Sequence, residues 1–234
     1  MPPPSAQPQM VSQLSLIHIF QPAPSGGTVI PQPEEDYSSC DGGTDCPLWK
    51  FTDLDVHAWY HDGVHYCLEE GLMEGYGEGI FGPNNDLSRA MLVQIFYNYE
   101  NRPTVSSGSV FDDVADGAWY ADAVTWAASQ SIVGGYGNGN YGPNDPITRE
   151  QLAAILYRYA QYKGYDVSVG EDTNILSYTD AFEISEYAVP AFQWACGAGV
   201  IEGVTESTLV PRGNATRAQV ATMLMRFCVN VAKD

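Results

Sequence analysis

One loop-and-helix pattern occurs three times along this chain. Residues 134–150 read GGYGNGNYGPNDPITRE, and residues 75–90 read GYGEGIFGPNNDLSRA. Subtracting 60 carries Tyr136, Gly137, Gly139, Gly142, Pro143, Asn144 and Arg149 onto Tyr76, Gly77, Gly79, Gly82, Pro83, Asn84 and Arg89. Adding 68 carries Gly135, Pro143, Thr148 and Arg149 onto Gly203, Pro211, Thr216 and Arg217. A chain built this way folds as an array of equivalent units, each completing its neighbour's core.

Each unit has the same plan. Phe-x-Asp (Phe51 to Asp53, Phe111 to Asp113) leads to Trp59-Tyr60 or Trp119-Tyr120, then a helix with a small-residue stripe. That stripe is Tyr60, Gly63, Val64, Cys67; Tyr120, Ala123, Val124, Ala127; and Ala188, Ala191, Phe192, Ala195. Small side chains at this spacing predict helices packed at close range. After the Gly-rich loop, a capping Ser88, Thr148 or Thr216 opens a second helix. Its stripe is Leu92, Ile95, Phe96, Tyr99; Leu152, Ile155, Leu156, Tyr159; and Val220, Met223, Leu224, Phe227. The expected fold is all-α: three helix–loop–helix repeats in a pseudo-threefold array around a central bundle. The boundaries fall at 49–106, 107–173 and 174–234, behind a disordered linker or tail over 1–48.

That tail holds eight of the chain's fifteen prolines before Glu34 and has little to bury. Its one apolar patch, Leu14 to Phe20, lacks the basic flank of a secretory leader. Its LSLIHI run resembles the translation of a transposase end used in sequencing libraries, so the natural N-terminus, with any signal peptide, is expected to lie elsewhere. Net charge is −19, from 29 acids and 10 bases, which argues against nucleic-acid partners. No apolar run reaches the length of a membrane span. Cys40 and Cys46 are placed to close a small disulfide loop in an oxidising setting. C-x-x-C is absent, so no zinc or other metal site is expected.

Three of the seven arginines, Arg89, Arg149 and Arg217, follow the helix-capping residue, where a cation opposes the macrodipole. Two readings stand side by side. The Arg and the free helix N–H groups together receive an anion, or each Arg pairs with an Asp such as Asp53, Asp113 or Asp180. Trp59 and Trp119 read as packing residues or sugar platforms, and Trp126 and Trp194 as core. His57, His61 and His65 share one face with Glu69. The second copy has Gly117, Ala121 and Thr125 there, so a solvated face is expected in preference to a metal site. The loop acids and asparagines lack an EF-hand register for calcium. No nucleophile elbow, Walker pattern or isolated carboxylate pair supports catalysis.

Taken together, FxD, WY, GYGxG-x-[FY]-GPN and [ST]-R before an apolar helix resemble the S-layer homology domain family over residues 49 to 230. The resemblance implies a trident-like assembly that anchors exported proteins at the bacterial cell wall and is not an enzyme. Its partner would be a secondary cell-wall polysaccharide, often pyruvylated, held in grooves between repeats without a cofactor. By position, it implies ligand contacts from Arg89, Arg149, Arg217, Trp59, Trp119, Asp53, Asp113, Asp180, Gly77 and Gly137. Other readings are an S-layer or self-assembling protein, or the anchor fragment of a larger exported enzyme. The third copy lacks the GYGxG run and the Trp-Tyr pair, so its groove is expected to be degenerate.

Overall fold

A computed structural model describes residues 40–106 and 108–232. Among these the regular structure is helical: α1 His61–Glu69, α2 Arg89–Tyr99, α3 Ala121–Ser129, α4 Arg149–Lys163, α5 Val189–Gly197 and α6 Arg217–Asn230. Each repeat contributes two of them, and no helix is long and apolar enough to cross a membrane. Most of the expected tail, including Leu14 to Phe20, lies outside the described residues. Its last part does not behave as tail: Cys46 and Leu48 are buried, and the 3₁₀ turn Pro47–Lys50 packs against α1. Eight prolines upstream dominate the segment's composition and mask the few apolar residues at its end.

The helices pair across repeats. α3 lies on α2, α5 on α4, and α1 of the first repeat returns to α6 of the last. The array is therefore closed, with every first helix on another repeat's second helix. Small residues permit the approach, as their spacing predicts. At Gly63 in α1, a Cβ would come within 2.5 Å of the Thr222 backbone in α6. Ala123 and Ala191 hold the corresponding positions and are buried.

The second helices meet around the axis through large side chains. Phe96 of α2 stacks on Tyr159 of α4 with ring centroids 4.4 Å apart, and Tyr159 lies 5.9 Å from Phe227 of α6. Tyr159 donates its hydroxyl to Glu100 at 2.6 Å, and Lys163 reaches the same carboxylate oxygen at 2.9 Å. Trp126 and Trp194 are buried, as expected of core residues.

At the start of the second helices, backbone replaces side chains. Leu87 N–H donates to Ala215 C=O (3.1 Å), Ala215 N–H to Ile147 C=O (2.8 Å), and Ile147 N–H to Leu87 C=O (2.8 Å). The three bonds form a ring that runs once through all repeats. Immediately after it, Ser88, Thr148 and Thr216 cap α2, α4 and α6. Thr148 and Thr216 complete capping boxes with Gln151 and Gln219, whereas α2 has Met91 in that place and a single cap bond.

A Gly63→Val substitution should destabilise the protein by about 2–3 kcal/mol in urea unfolding, because the new side chain meets backbone that cannot yield. Unchanged stability would show that α1 does not lie against α6 this closely.

Candidate functional site

The first N–H groups of each second helix are the place where an anion was expected, but carbonyls already occupy them. Arg89 and Ala90 N–H donate to Asp145 and Pro143 C=O of the second repeat. Arg149 and Glu150 donate likewise to Gly213 and Pro211, and Arg217 and Ala218 to Asn85 and Pro83, at 2.8–3.0 Å. The anion receptor read from the helix N-terminus is therefore corrected. Its donors are spent on the neighbouring repeat's loop, a partner that lies 56 to 132 residues away in sequence for Arg89 and Arg217.

The arginine side chains do the same at longer reach. Arg89 donates from Nε to Tyr141 C=O (2.9 Å) and from Nη2 to Gly134 C=O (3.0 Å). Arg149 donates to Leu209 and Glu202 C=O, both at 2.7 Å, and Arg217 to Phe81 (2.8 Å) and Glu74. All three are buried, at 4, 3 and 6 % exposure. Neither sequence-based alternative describes this arrangement. The guanidinium joins both ends of the next repeat's Gly-rich loop instead of an aspartate. Aromatic rings cover two of them: Arg89 sits 4.9 and 4.5 Å from the Tyr136 and Tyr141 centroids, Arg217 4.5 and 4.6 Å from Tyr76 and Phe81. Burial draws the pKa of Arg149 and of Arg217 below the ordinary guanidinium value.

The aspartates hold the same loops from inside their own repeat. Asp53 accepts from Phe81 and Gly82 N–H (2.9 and 2.7 Å), Asp113 from Tyr141 and Gly142 (2.7 and 2.8 Å), and Asp180 from Leu209 and Val210. Desolvation works against the charged Asp113, but the two N–H groups and the field of Arg89 outweigh it and leave its pKa below the usual carboxylate value. One buried peptide unit per repeat, at Phe81, Tyr141 or Leu209, is thus gripped by its own Asp and by another repeat's Arg. Gly77 and Gly137 serve the loop's shape at φ 99° and 83°, a region that favours glycine.

One open groove, of about 440 Å³, joins pieces of all three repeats. Arg89 comes from the first, Val133 to Tyr136 and the α4 face Glu150, Gln151, Ala154, Ile155 and Arg158 from the second, and Tyr187 from the third. Arg158 makes no ion pair among the described residues. Glu150 is engaged locally: Ser185 donates its N–H and hydroxyl to the carboxylate at 3.0 and 2.9 Å, and Tyr187 its hydroxyl at 3.3 Å. Burial and this carboxylate push the Tyr187 phenol up to about 12, so it remains a donor at neutral pH. The groove therefore presents the part-exposed Arg158, with the buried Arg89 in its wall, and two half-exposed tyrosines, Tyr136 and Tyr187, on an otherwise acidic protein.

Tyr187 holds the repeat position of Trp59 and Trp119. Those tryptophans are 66 and 58 % exposed and stand edge-on to Tyr60 and Tyr120, so the packing alternative does not describe them. The sequence reading missed Arg158 and Tyr187 as site residues. Gln151, Ala154, Ile155 and Arg158 follow i, i+3, i+4, i+7, a face that shares Ile155 with the core stripe and ends in a cation, and that spacing is the available signal. The third loop keeps its turn without the GYGxG run, since Val204 N–H donates to Thr208 C=O at 2.8 Å as Tyr136 does to Asn140. At the register positions of Gly134 and Arg158, however, it carries Glu202 and Arg226, which pair at 2.8 Å.

Replacing Arg149 with Ala should cost about 3 kcal/mol in urea unfolding, since two buried carbonyls lose a charged donor. Arg149→Lys should recover only part of it, because an ammonium cannot span both carbonyls in the plane of a guanidinium. Stability equal to wild type in the alanine variant would mean that the clamp contributes nothing.

A sequence profile of the S-layer homology domain matches residues 50–90, 110–153 and 177–221. An amylopullulanase of Thermoanaerobacterium thermosulfurigenes is 31 % identical over 170 residues, covering 71 % of this chain and 9 % of that protein. The surface-layer 125 kDa protein of Lysinibacillus sphaericus is 29 % identical over 180 residues, covering 75 % of this chain and 14 % of the relative. A cellulosome-anchoring protein of Acetivibrio thermocellus is 27 % identical over 159 residues, or 66 % of this chain and 35 % of its own length. The chain thus spans between 9 and 35 % of the length of these relatives.

Proposed function

The chain belongs to the S-layer homology domain family, whose relatives here include a surface-layer protein, a cellulosome-anchoring protein and an amylopullulanase, and we propose that it anchors its parent protein to the cell wall by binding an anionic secondary polysaccharide. The observation that carries this reading is the groove to which all three repeats contribute. Arg158, with the charge of the buried Arg89 in the wall beside it, suits a carboxylate such as a pyruvate ketal, because guanidinium groups form directed, charge-assisted bonds to planar anions. Tyr136 and Tyr187 offer flat apolar faces with hydroxyl edges, a surface that suits sugar rings. We read the groove as a binding surface, whose one carboxylate, Glu150, is engaged by Ser185 and Tyr187.

The three arginines expected at the ligand divide their roles in this proposal. Arg89 lines the groove while it clamps the loop, whereas Arg149 and Arg217 act chiefly as clamps. Trp59 and Trp119 extend the ligand surface at the other junctions. A second reading, self-assembly into a surface layer, is favoured by Leu176 and Phe182, 64 and 87 % exposed on the third repeat. The relative named as an amylopullulanase supports a third possibility for the parent protein, a surface enzyme whose catalytic part lies beyond this chain.

Arg158→Ala should weaken binding to purified, pyruvylated wall polymer about tenfold, equivalent to about 1.4 kcal/mol, with thermal stability unchanged. Depyruvylated polymer should bind the wild type with the variant's affinity. Equal affinity of both proteins for both polymers would remove this groove from consideration, and concentration-dependent assembly without polymer would favour the second reading.

A further inference from the structure

We propose that Cys40, Cys46, His61 and His65 form a structural zinc site that fastens the segment before the first repeat to α1. This goes beyond wall binding and departs from the expectation of no metal site, and the burial of two of the three histidines corrects the expectation of a solvated face. His61 and His65 are buried, and only His57 points to solvent. One ligand atom from each of the four residues lies within 4.8 Å of the others. Cys46 Sγ stands 3.4 Å from His61 Nε2 and 3.7 Å from His65 Nδ1. Tetrahedral zinc with bonds of about 2.3 Å to sulfur and 2.0–2.1 Å to nitrogen sets neighbouring ligands about 3.3–3.8 Å apart. Both distances fall in that range before any ion has drawn the groups together.

The outer nitrogens supply an independent sign. His61 Nδ1 is 3.0 Å from the Asp62 carboxylate, and His65 Nε2 is 3.2 Å from that of Glu69. Each carboxylate takes a ring N–H and so fixes the tautomer, which leaves His61 Nε2 and His65 Nδ1 as lone pairs directed inward. Metal-binding histidines are oriented in this way by second carboxylates. Two lone pairs and two sulfurs then converge on one point, where thiols alone would be weak partners. H-x₃-H on a helix is common zinc-ligand spacing, and two thiolates with two imidazoles suit zinc. Gly42, at φ 73°, turns the chain between the cysteines, and Trp49 Nε1 donates to Gly42 C=O at 2.9 Å. Four protein ligands leave no open position, so the site is structural and not hydrolytic.

The test uses the whole chain, purified under reducing, anaerobic conditions and dialysed against Zn²⁺. Wild type should retain one zinc per chain by elemental analysis, and Co²⁺ in its place should give the absorption of tetrahedral thiolate coordination. Cys40→Ser, at the half-buried ligand, and His65→Gln should each lose the zinc and the cobalt signature while far-UV circular dichroism keeps its helical signal. Chelation of the wild type should lower its melting temperature by about 5 °C. Three results would overturn the assignment: no zinc retained by the reduced wild type, equal retention by both folded variants, or a Cys40–Cys46 disulfide in the anaerobic protein. If His65→Gln does not fold, Cys40→Ser and the cobalt spectrum decide the question alone.

Discussion

The structure depends on how each second helix begins. Its leading N–H groups, which have no partner within the helix, are given to carbonyls of another repeat, and the following arginine reaches farther into the same loop. Helix initiation and repeat docking are therefore one event: the loop would leave carbonyls unpaired without the helix, and the helix would leave amides unpaired without the loop. Buried polar groups left in that state are costly, so α2, α4 and α6 are held in mutual register by backbone chemistry as much as by apolar contact. The cation at an unfavourable end of the macrodipole is explained by this geometry. Its charge meets two carbonyl dipoles, which outweigh the opposing field of its own helix.

The repeats share this scaffold but present different surfaces. Aromatic covers sit over Arg89 and Arg217, while Val204 and Leu209 stand at the corresponding places near Arg149. The second repeat has Arg158, with no ion pair among the described residues, where the first has Asn98 and the third has Arg226 bound to Glu202. The groove face thus differs between copies, and the Asp–peptide–Arg grip is retained in every copy. A fold held by its backbone leaves those surface positions open to specialise.

Much of the architecture was legible because it is local or periodic. The stripes ending at Tyr99, Tyr159 and Phe227 identified the second helices, the small stripe at Gly63, Ala123 and Ala191 announced close packing, and Thr148 with Gln151 marked a cap that is present. What stayed hidden depends on exchange between repeats. No local pattern says that Arg217 will meet Phe81, 136 residues away. The cysteine and histidine cluster was concealed differently. Cys40 and Cys46 lie six residues apart in a stretch that resembles linker, and repeat comparison discounts any residue that one copy alone carries. Comparison of copies thus finds the scaffold well and overlooks additions to it.

The return of α1 onto α6 has one further consequence. An open stack of helical repeats grows or shrinks by whole units and needs special terminal caps, since its end faces meet water. Here the first and last units cover each other, so there is no end face to protect and no vacancy for a fourth. Three is a closed number for this geometry, as the strand count is for a barrel. Evolution can therefore vary such a domain by changing residues within a ring of fixed size, or by joining whole rings, but not by lengthening one.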